Sequence, residues 1–211
     1  MSEAPVPVAM QGELAAEDQA RANFYALLSR LYAAAPDEAL LATIAAADEW
    51  PVVGGSAARE LAAAWRGLIA ASAATDAATA GDEYQRLFIG VGRSEVSLHA
   101  SGYLAGAGSS PLAELRAALS RLGLGRRDGV SVYEDHLAAI CETMRVLVGG
   151  APGIEPGSIV QQREFFAIYV APWVTSCCAA IKNSPVANYY RRVAEFTDSF
   201  MAIERDSFAI D

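Results

Sequence analysis

Apolar side chains recur three and four residues apart in one segment after another of this 211-residue chain. Phe24, Leu27, Leu28 and Leu31 form one such set, and Leu61, Trp65 and Leu68 a second. Leu137, Ile140, Cys141, Met144 and Leu147 form a third, and Tyr189, Tyr190, Val193, Phe196 and Phe200 a fourth. That spacing lays a stripe along one side of a helix. No segment sustains the period-two alternation of β-branched residues that a half-buried strand shows. The pattern predicts an all-α fold, a single-domain helical bundle of roughly eight to ten helices.

Punctuation places the boundaries. Residues 1–12 hold two prolines and no periodicity, so a flexible amino-terminal arm is expected there, with one helical domain over 13–211. The first helix should stop ahead of Pro36, and Pro36-Asp37-Glu38 should open a second that runs to about Ala47. Ser56 is the expected N-cap of the helix through Trp65, and Gly90-Val91-Gly92 the expected end of the one carrying Tyr84, Leu87 and Phe88. Residues 90–110 are rich in glycine and serine; a long loop in a helical chain is the natural place for function. A helix opens at Pro111, and Gly125 to Gly129 is a polar turn. The following helix starts near Ser131 or Glu134. Residues 149–158, with two prolines and four glycines, read as a linker and as a candidate hinge. Ser158 should cap the next helix, and Pro172 should break it.

Composition excludes several classes. The chain is 53% hydrophobic with a mean hydropathy of +0.22, too apolar for general disorder. Sixteen basic residues against 25 acids give a net charge of −9, which argues against nucleic-acid binding and suits a basic partner such as an arginine-bearing peptide. Cys177 and Cys178 are adjacent and Cys141 stands apart, which reads as reduced thiols in a cytoplasmic protein. No secretory signal is apparent at the amino terminus. The longest uncharged run, Phe165 to Ile181, falls short of the roughly 20 residues of a membrane span and contains Pro172, so a buried helix pair is expected.

Few residues could carry chemistry. His99 and His136 are the only histidines, and Glu134, Asp135 and His136 are consecutive, so they fan out and cannot converge on one ion. No metal site, cofactor or nucleophile elbow is expected. Asp135 and His136 remain as polar anchors at a helix start, beside the apolar face that begins at Leu137. Tyr84, Leu87 and Phe88 read first as core, and alternatively as the wall of an apolar peptide groove beside the loop holding His99, Ser101 and Tyr103.

Tyr84-Gln85-Arg86-Leu87-Phe88-Ile89-Gly90 resembles the signature of the TorD/DmsD-type chaperones, the cytoplasmic maturation factors of molybdoenzymes. Glu134-Asp135-His136-Leu137 is similar to that family's most recognisable block. Phe165-Phe166, Ala171-Pro172-Trp173, Tyr189-Tyr190 and Glu204 follow the order of its carboxy-terminal half, and Tyr25, Leu28 and Pro36 fit its amino-terminal helix. The likeness spans roughly residues 15–206. It implies an all-helical, non-enzymatic chaperone that binds the twin-arginine signal peptide of a molybdoenzyme catalytic-subunit precursor. Such a chaperone holds its client back from export until the cofactor is loaded. It further implies that Tyr84, Leu87 and Phe88 line the peptide groove, with His99, Ser101 and Tyr103 in the loop beside it. Glu134, Asp135 and His136 would be polar contacts. The chain differs from the family at Val96 to Ser101, at Tyr169 where a histidine is common, and in the small residues from Gly102 to Pro111. Proteins of this type can exchange a terminal bundle, so a homodimer hinged at 149–158 is a further expectation.

Two alternatives stay open. One is an acid–base enzyme or nucleotide-binding protein using Asp135 and His136. The other is a helical scaffold without a peptide site, a reading favoured if Tyr84, Leu87 and Phe88 are fully buried.

Overall fold

The computed structural model describes residues 14–49, 54–90, 94–104, 111–126 and 132–210. Nine α-helices lie among them: α1 (Ala16–Ala33), α2 (Glu38–Ala45), α3 (Ser56–Ala74), α4 (Ala77–Tyr84), α5 (Pro111–Arg121), α6 (Leu137–Gly149), α7 (Ile159–Phe165), α8 (Val174–Asn183) and α9 (Tyr189–Ile210). The fold is all-α. Pairing of extended backbone is confined, among the described residues, to two isolated bridges, one of them between His99 and His136.

Side-chain acceptors start several of the helices. The Asp37 carboxylate accepts from the Leu40 N–H at 2.7 Å, and Asp76 does the same for Thr79. Ser158 caps α7 as expected, in a reciprocal box: its Oγ accepts from the Gln161 N–H, and Gln161 Oε1 accepts from the Ser158 N–H. Three boundaries differ from expectation. α2 ends at Ala45, two residues short. Gly55 takes the N-cap position of α3, so Ser56 is its first helical residue and makes no capping bond. α6 begins at Leu137, because His136 itself is the N-cap. The arm expected over 1–12, Val91, Gly92, Ser131 and the end of the 125–129 turn lie outside the described residues.

Two helices end in a single widened turn. Gly90 N–H reaches back five residues to Gln85 at 2.8 Å, and Ala171 N–H to Phe166 at 2.9 Å, the π pattern. The first is closed by Gly90 at φ +63°, where a side chain would be strained. The second runs into Pro172, which has no N–H to continue it.

α9 is the spine of the bundle, with α3 and α8 packed along it and α1 packed along α6. Ala22 lies against Gly149, where a Cβ would stand 3.0 Å from the alanine's own, so the close approach of α1 to α6 depends on that glycine. Phe24, Trp65, Phe196 and Phe200 form an aromatic cluster joining α1, α3 and α9, with ring centroids 5.3–6.5 Å apart.

Buried polar groups are tied across the bundle. Glu204 accepts from Tyr25 Oη at 2.9 Å and from two nitrogens of Arg21 at 2.7 and 2.9 Å. Tyr190 donates to the Leu31 carbonyl, and Tyr32 pairs with Thr197. Glu83 accepts the N–H groups of Asn188, Tyr189 and Tyr190 at 2.7–2.9 Å, so a buried carboxylate from α4 satisfies the positive end of α9.

The uncharged run from Phe165 is a buried pair, as its length and Pro172 imply: Phe165, Phe166, Val170, Trp173, Cys177, Cys178 and Ile181 all lie in the core. Among the described residues no single helix is long and apolar enough to cross a membrane. The bent pair Ile159–Val170 and Val174–Asn183 passes on composition alone, with a 47° break. Residues 149–158 fold back as a tight turn. Ala151 and Ile154 exchange N–H···O bonds, and Gly157 N–H and Gln162 Nε2 both donate to the Leu147 carbonyl.

Candidate functional site

The residues ahead of α6 and the loop after the first π turn meet at one place. Leu137 N–H donates to the Leu98 carbonyl at 2.8 Å, and Ala100 N–H to the Asp135 carbonyl at 2.9 Å. This short antiparallel bridge aligns His99 with His136, whose rings meet edge to face at 4.9 Å. The buried Asp135 carboxylate fastens the loop. Oδ1 lies 3.0 Å from His99 Nδ1, and Oδ2 accepts the Ser101 N–H at 3.3 Å. Burial alone would raise the Asp135 pKa; the bonds from His99 and Ser101 outweigh it and hold the carboxyl down at about 2.

His136 plays a structural part. Its Nδ1 accepts the Ala138 N–H at 3.1 Å, which caps α6. Burial, with a smaller contribution from His99, pushes its pKa down to about 4, so the ring is neutral at physiological pH. Asp135 therefore faces His99, and His136 faces the helix. The acid–base pair expected of an Asp135–His136 enzyme is not assembled, because consecutive residues at a helix start point apart.

Tyr103 turns inward from the loop, stacked on Trp173 at 5.6 Å, and donates to the Ser97 carbonyl at 2.9 Å. Gly102 allows this: a Cβ there would stand 2.8 Å from Ser97 Oγ. Ser101 remains exposed. Glu134 is paired with Arg116 of α5 at 3.0 Å, which lowers its pKa.

Tyr84, Leu87 and Phe88 are not part of this constellation. They are 6%, 0% and 8% exposed, which makes them core side chains and not the wall of an open groove. Tyr84 donates to the Tyr32 carbonyl, and the Phe88 ring is boxed by Tyr32, Tyr84 and Tyr190. The π turn rotates the exposed position to Ile89.

The open apolar surface lies elsewhere, in a cleft of about 420 Å³ between α1 and α6, closed at its ends by the segment after α5 and by the 151–154 turn. Ala33, Leu124, Ala139 and Ile154 supply its open apolar lining, Glu134 and Glu142 its carboxylates, and Arg126 a guanidinium. Sequence reasoning placed Glu134 at the site and missed the rest of the cleft. The available signal was Glu142, the one acid in α6, but Arg145 three residues on accounts for it as an ordinary helix pair.

A family model described as nitrate reductase delta subunit matches residues 55–179, more than half of the chain, from α3 into α8. A search of curated proteins finds no match. The all-α bundle, the loop fastened by Asp135 and the extent of the match together place the chain in the nitrate reductase delta subunit family, the TorD-type chaperones of molybdoenzyme maturation.

Proposed function

We propose that this protein is a cytoplasmic chaperone that binds the twin-arginine signal peptide of a client molybdoenzyme precursor and supports cofactor insertion before export. The observation that supports the reading is an open apolar cleft beside α6 to which Glu134, next in sequence to the loop-fastening Asp135, contributes a carboxylate. A signal with an arginine pair and an apolar stretch matches a chain of net charge −9 that presents carboxylates at the edge of such a cleft. In this reading His99, Ser101, Glu134, Asp135 and His136 form the polar side of the client site. Tyr84, Leu87 and Phe88 support it from the core, and the half-buried Tyr103 from beside it.

Pull-down from the native host with tagged protein, followed by mass spectrometry, tests it. Recovery of one large molybdoenzyme precursor still carrying its signal peptide is the expected result. Recovery of no such precursor, with the bait folded and candidate clients expressed, overturns it.

The burial of Tyr84, Leu87 and Phe88 favours a second reading, a helical scaffold without a peptide site. The same pull-down separates the two. The homodimer reading rests on the composition of residues 149–158. Size exclusion across a range of concentrations decides it, and a monomer throughout removes it.

A further inference from the structure

Six large apolar side chains stand exposed among the described residues, and three of them share one surface. Ile159 and Val160 open α7 at 44% and 45% exposed, and Ile168 lies on the widened turn that follows it at 56%. Glu164 and Ala167 are exposed between them and Arg163 is half-buried, while Gln162, Phe165 and Phe166 take the inner side. Gln161 stands at the edge, tied into the Ser158 cap. The outward residues therefore come in pairs four apart: Ile159 and Val160, Arg163 and Glu164, Ala167 and Ile168. In a regular helix that spacing drifts by about 40° at each step. The widened turn holds an extra residue and takes up part of the drift, so the third pair stays in line with the first two.

This face is complementary to itself. Its chemistry has one order from either end, an apolar pair, a charged pair and an apolar pair, and reversing the direction exchanges the basic and acidic members. Laid antiparallel on a second copy, Ile159 meets the partner's Ile168 and Val160 meets the partner's Ala167. Arg163 meets the partner's Glu164, and Glu164 meets the partner's Arg163. A two-fold interface needs this property, because each residue that makes a contact must also receive the reciprocal one. The two charged side chains are free to make it: neither Arg163 nor Glu164 has a side-chain partner among the described residues. The face is only about three turns long, at the small end of interfaces, and two copies of net charge −9 repel at a distance. Both facts fit a weak, rapidly exchanging dimer.

We propose that the outer face of α7 and its widened turn is a two-fold interface between two copies of this chain, packed antiparallel with Arg163 and Glu164 paired across the axis. No helix leaves its own bundle in this dimer, which distinguishes it from one formed by exchange at residues 149–158.

Sedimentation velocity on the full chain tests it, from about 1 to 300 µM, with an expected dimer Kd on the order of 10–100 µM and fast exchange. Arg163→Glu and Glu164→Arg each set like charges against like across the axis and should raise Kd at least about tenfold. The double variant Arg163→Glu/Glu164→Arg restores an opposite charge at every contact and should return Kd to within about threefold of wild type. A mixture of the two single variants should form a heterodimer that neither forms with itself. Ile168→Asp should weaken the dimer about tenfold or more. A wild-type chain that stays monomeric throughout overturns the proposal. So does a dimer that both single variants leave unchanged, as exchange at the hinge would give. Single variants that weaken the dimer without recovery in the double variant or the mixture overturn the antiparallel pairing, as a different protein's surface seated on this face would also predict.

Discussion

His99 Nδ1 lies 3.0 Å from Asp135 Oδ1, joining two segments 36 residues apart in the chain. The same carboxylate holds the Ser101 N–H, so one buried acid fixes the course of the whole loop. Asp135→Ala removes the acceptor of both donors and is expected to cost about 2–4 kcal/mol. His99→Ala should cost less, because its ring is partly exposed and the Ser101 bond survives. The coupling in a double-mutant cycle, measured by urea unfolding, should be on the order of 1 kcal/mol. Strictly additive losses would show that the two side chains do not act together.

Acid should loosen the start of α6. The folded-state pKa of His136 is pushed down to about 4, below the ordinary value of 6.5, so the unfolded chain takes up the proton first. The stabilisation from the neutral ring is fully present above about pH 6.5 and is lost as the pH falls toward 4. The full loss should amount to about 3 kcal/mol, the two values lying about 2.5 pH units apart at about 1.36 kcal/mol per unit. His136→Asn keeps an acceptor at the N-cap and cannot titrate. Its melting temperature should fall less than that of the wild type between pH 7 and 5, and parallel curves would contradict the assignment.

Asp135 acts in a lower window. Its carboxyl is held at about 2, so its contribution is complete above the ordinary carboxylate value and disappears as the pH falls through about 4 to 2. Asp135→Asn should flatten that part of the stability profile and leave the step between pH 6.5 and 4 in place.

Glu83 supports α9 from another element. Its Oε1 accepts from Asn188 and Tyr190, and its Oε2 from Tyr189. Glu83→Gln turns an amide N–H toward a backbone N–H and removes the charge at the helix end; the expected cost is about 2 kcal/mol. Glu83→Ala strands three donors and should cost about 4 kcal/mol. Thermal unfolding orders the two variants, and an alanine variant as stable as the wild type would remove the cradle from the account.

Gly150 is a position of the 149–158 turn where a side chain has no room. Its φ is +70°, and a Cβ would stand 2.8 Å from the Ile154 carbonyl. Gly150→Ala should destabilise by about 1–3 kcal/mol. If the turn is also the hinge of an exchanged dimer, the variant should raise the dimer fraction in size exclusion. Lower stability with no change in oligomeric state separates the turn from the hinge.

Much of the helical framework was legible because its punctuation is local. Ser158 with Gln161, Pro36 and Pro172 act within a few residues of themselves, and the structure has a helix start or stop at each. Burial was not legible in the same way. A stripe such as Tyr84, Leu87 and Phe88 has one spacing whether it faces a core or a groove. The π turn adds one residue that no periodicity shows in advance. The site is long-range: no local pattern tells His99 that its partner is Asp135, 36 residues further along the chain. The cleft draws on α1, on the segment after α5, on α6 and on the 151–154 turn, and no local pattern in the sequence shows that these four come together.

The bridge between Leu98 and Leu137 has an evolutionary consequence. It brings the chain back to the point it left, so the excursion between them, α5 included, begins and ends at one fixed anchor. Length changes between the elements of such an excursion cost mainly a closure entropy that grows slowly with residue number, while α5 itself stays packed in the core through Leu115, Ala118 and Leu119. Arg116 lies on that excursion and Glu134 at its return, so one rim of the cleft can be rewritten by drift while the rest of the molecule keeps its shape.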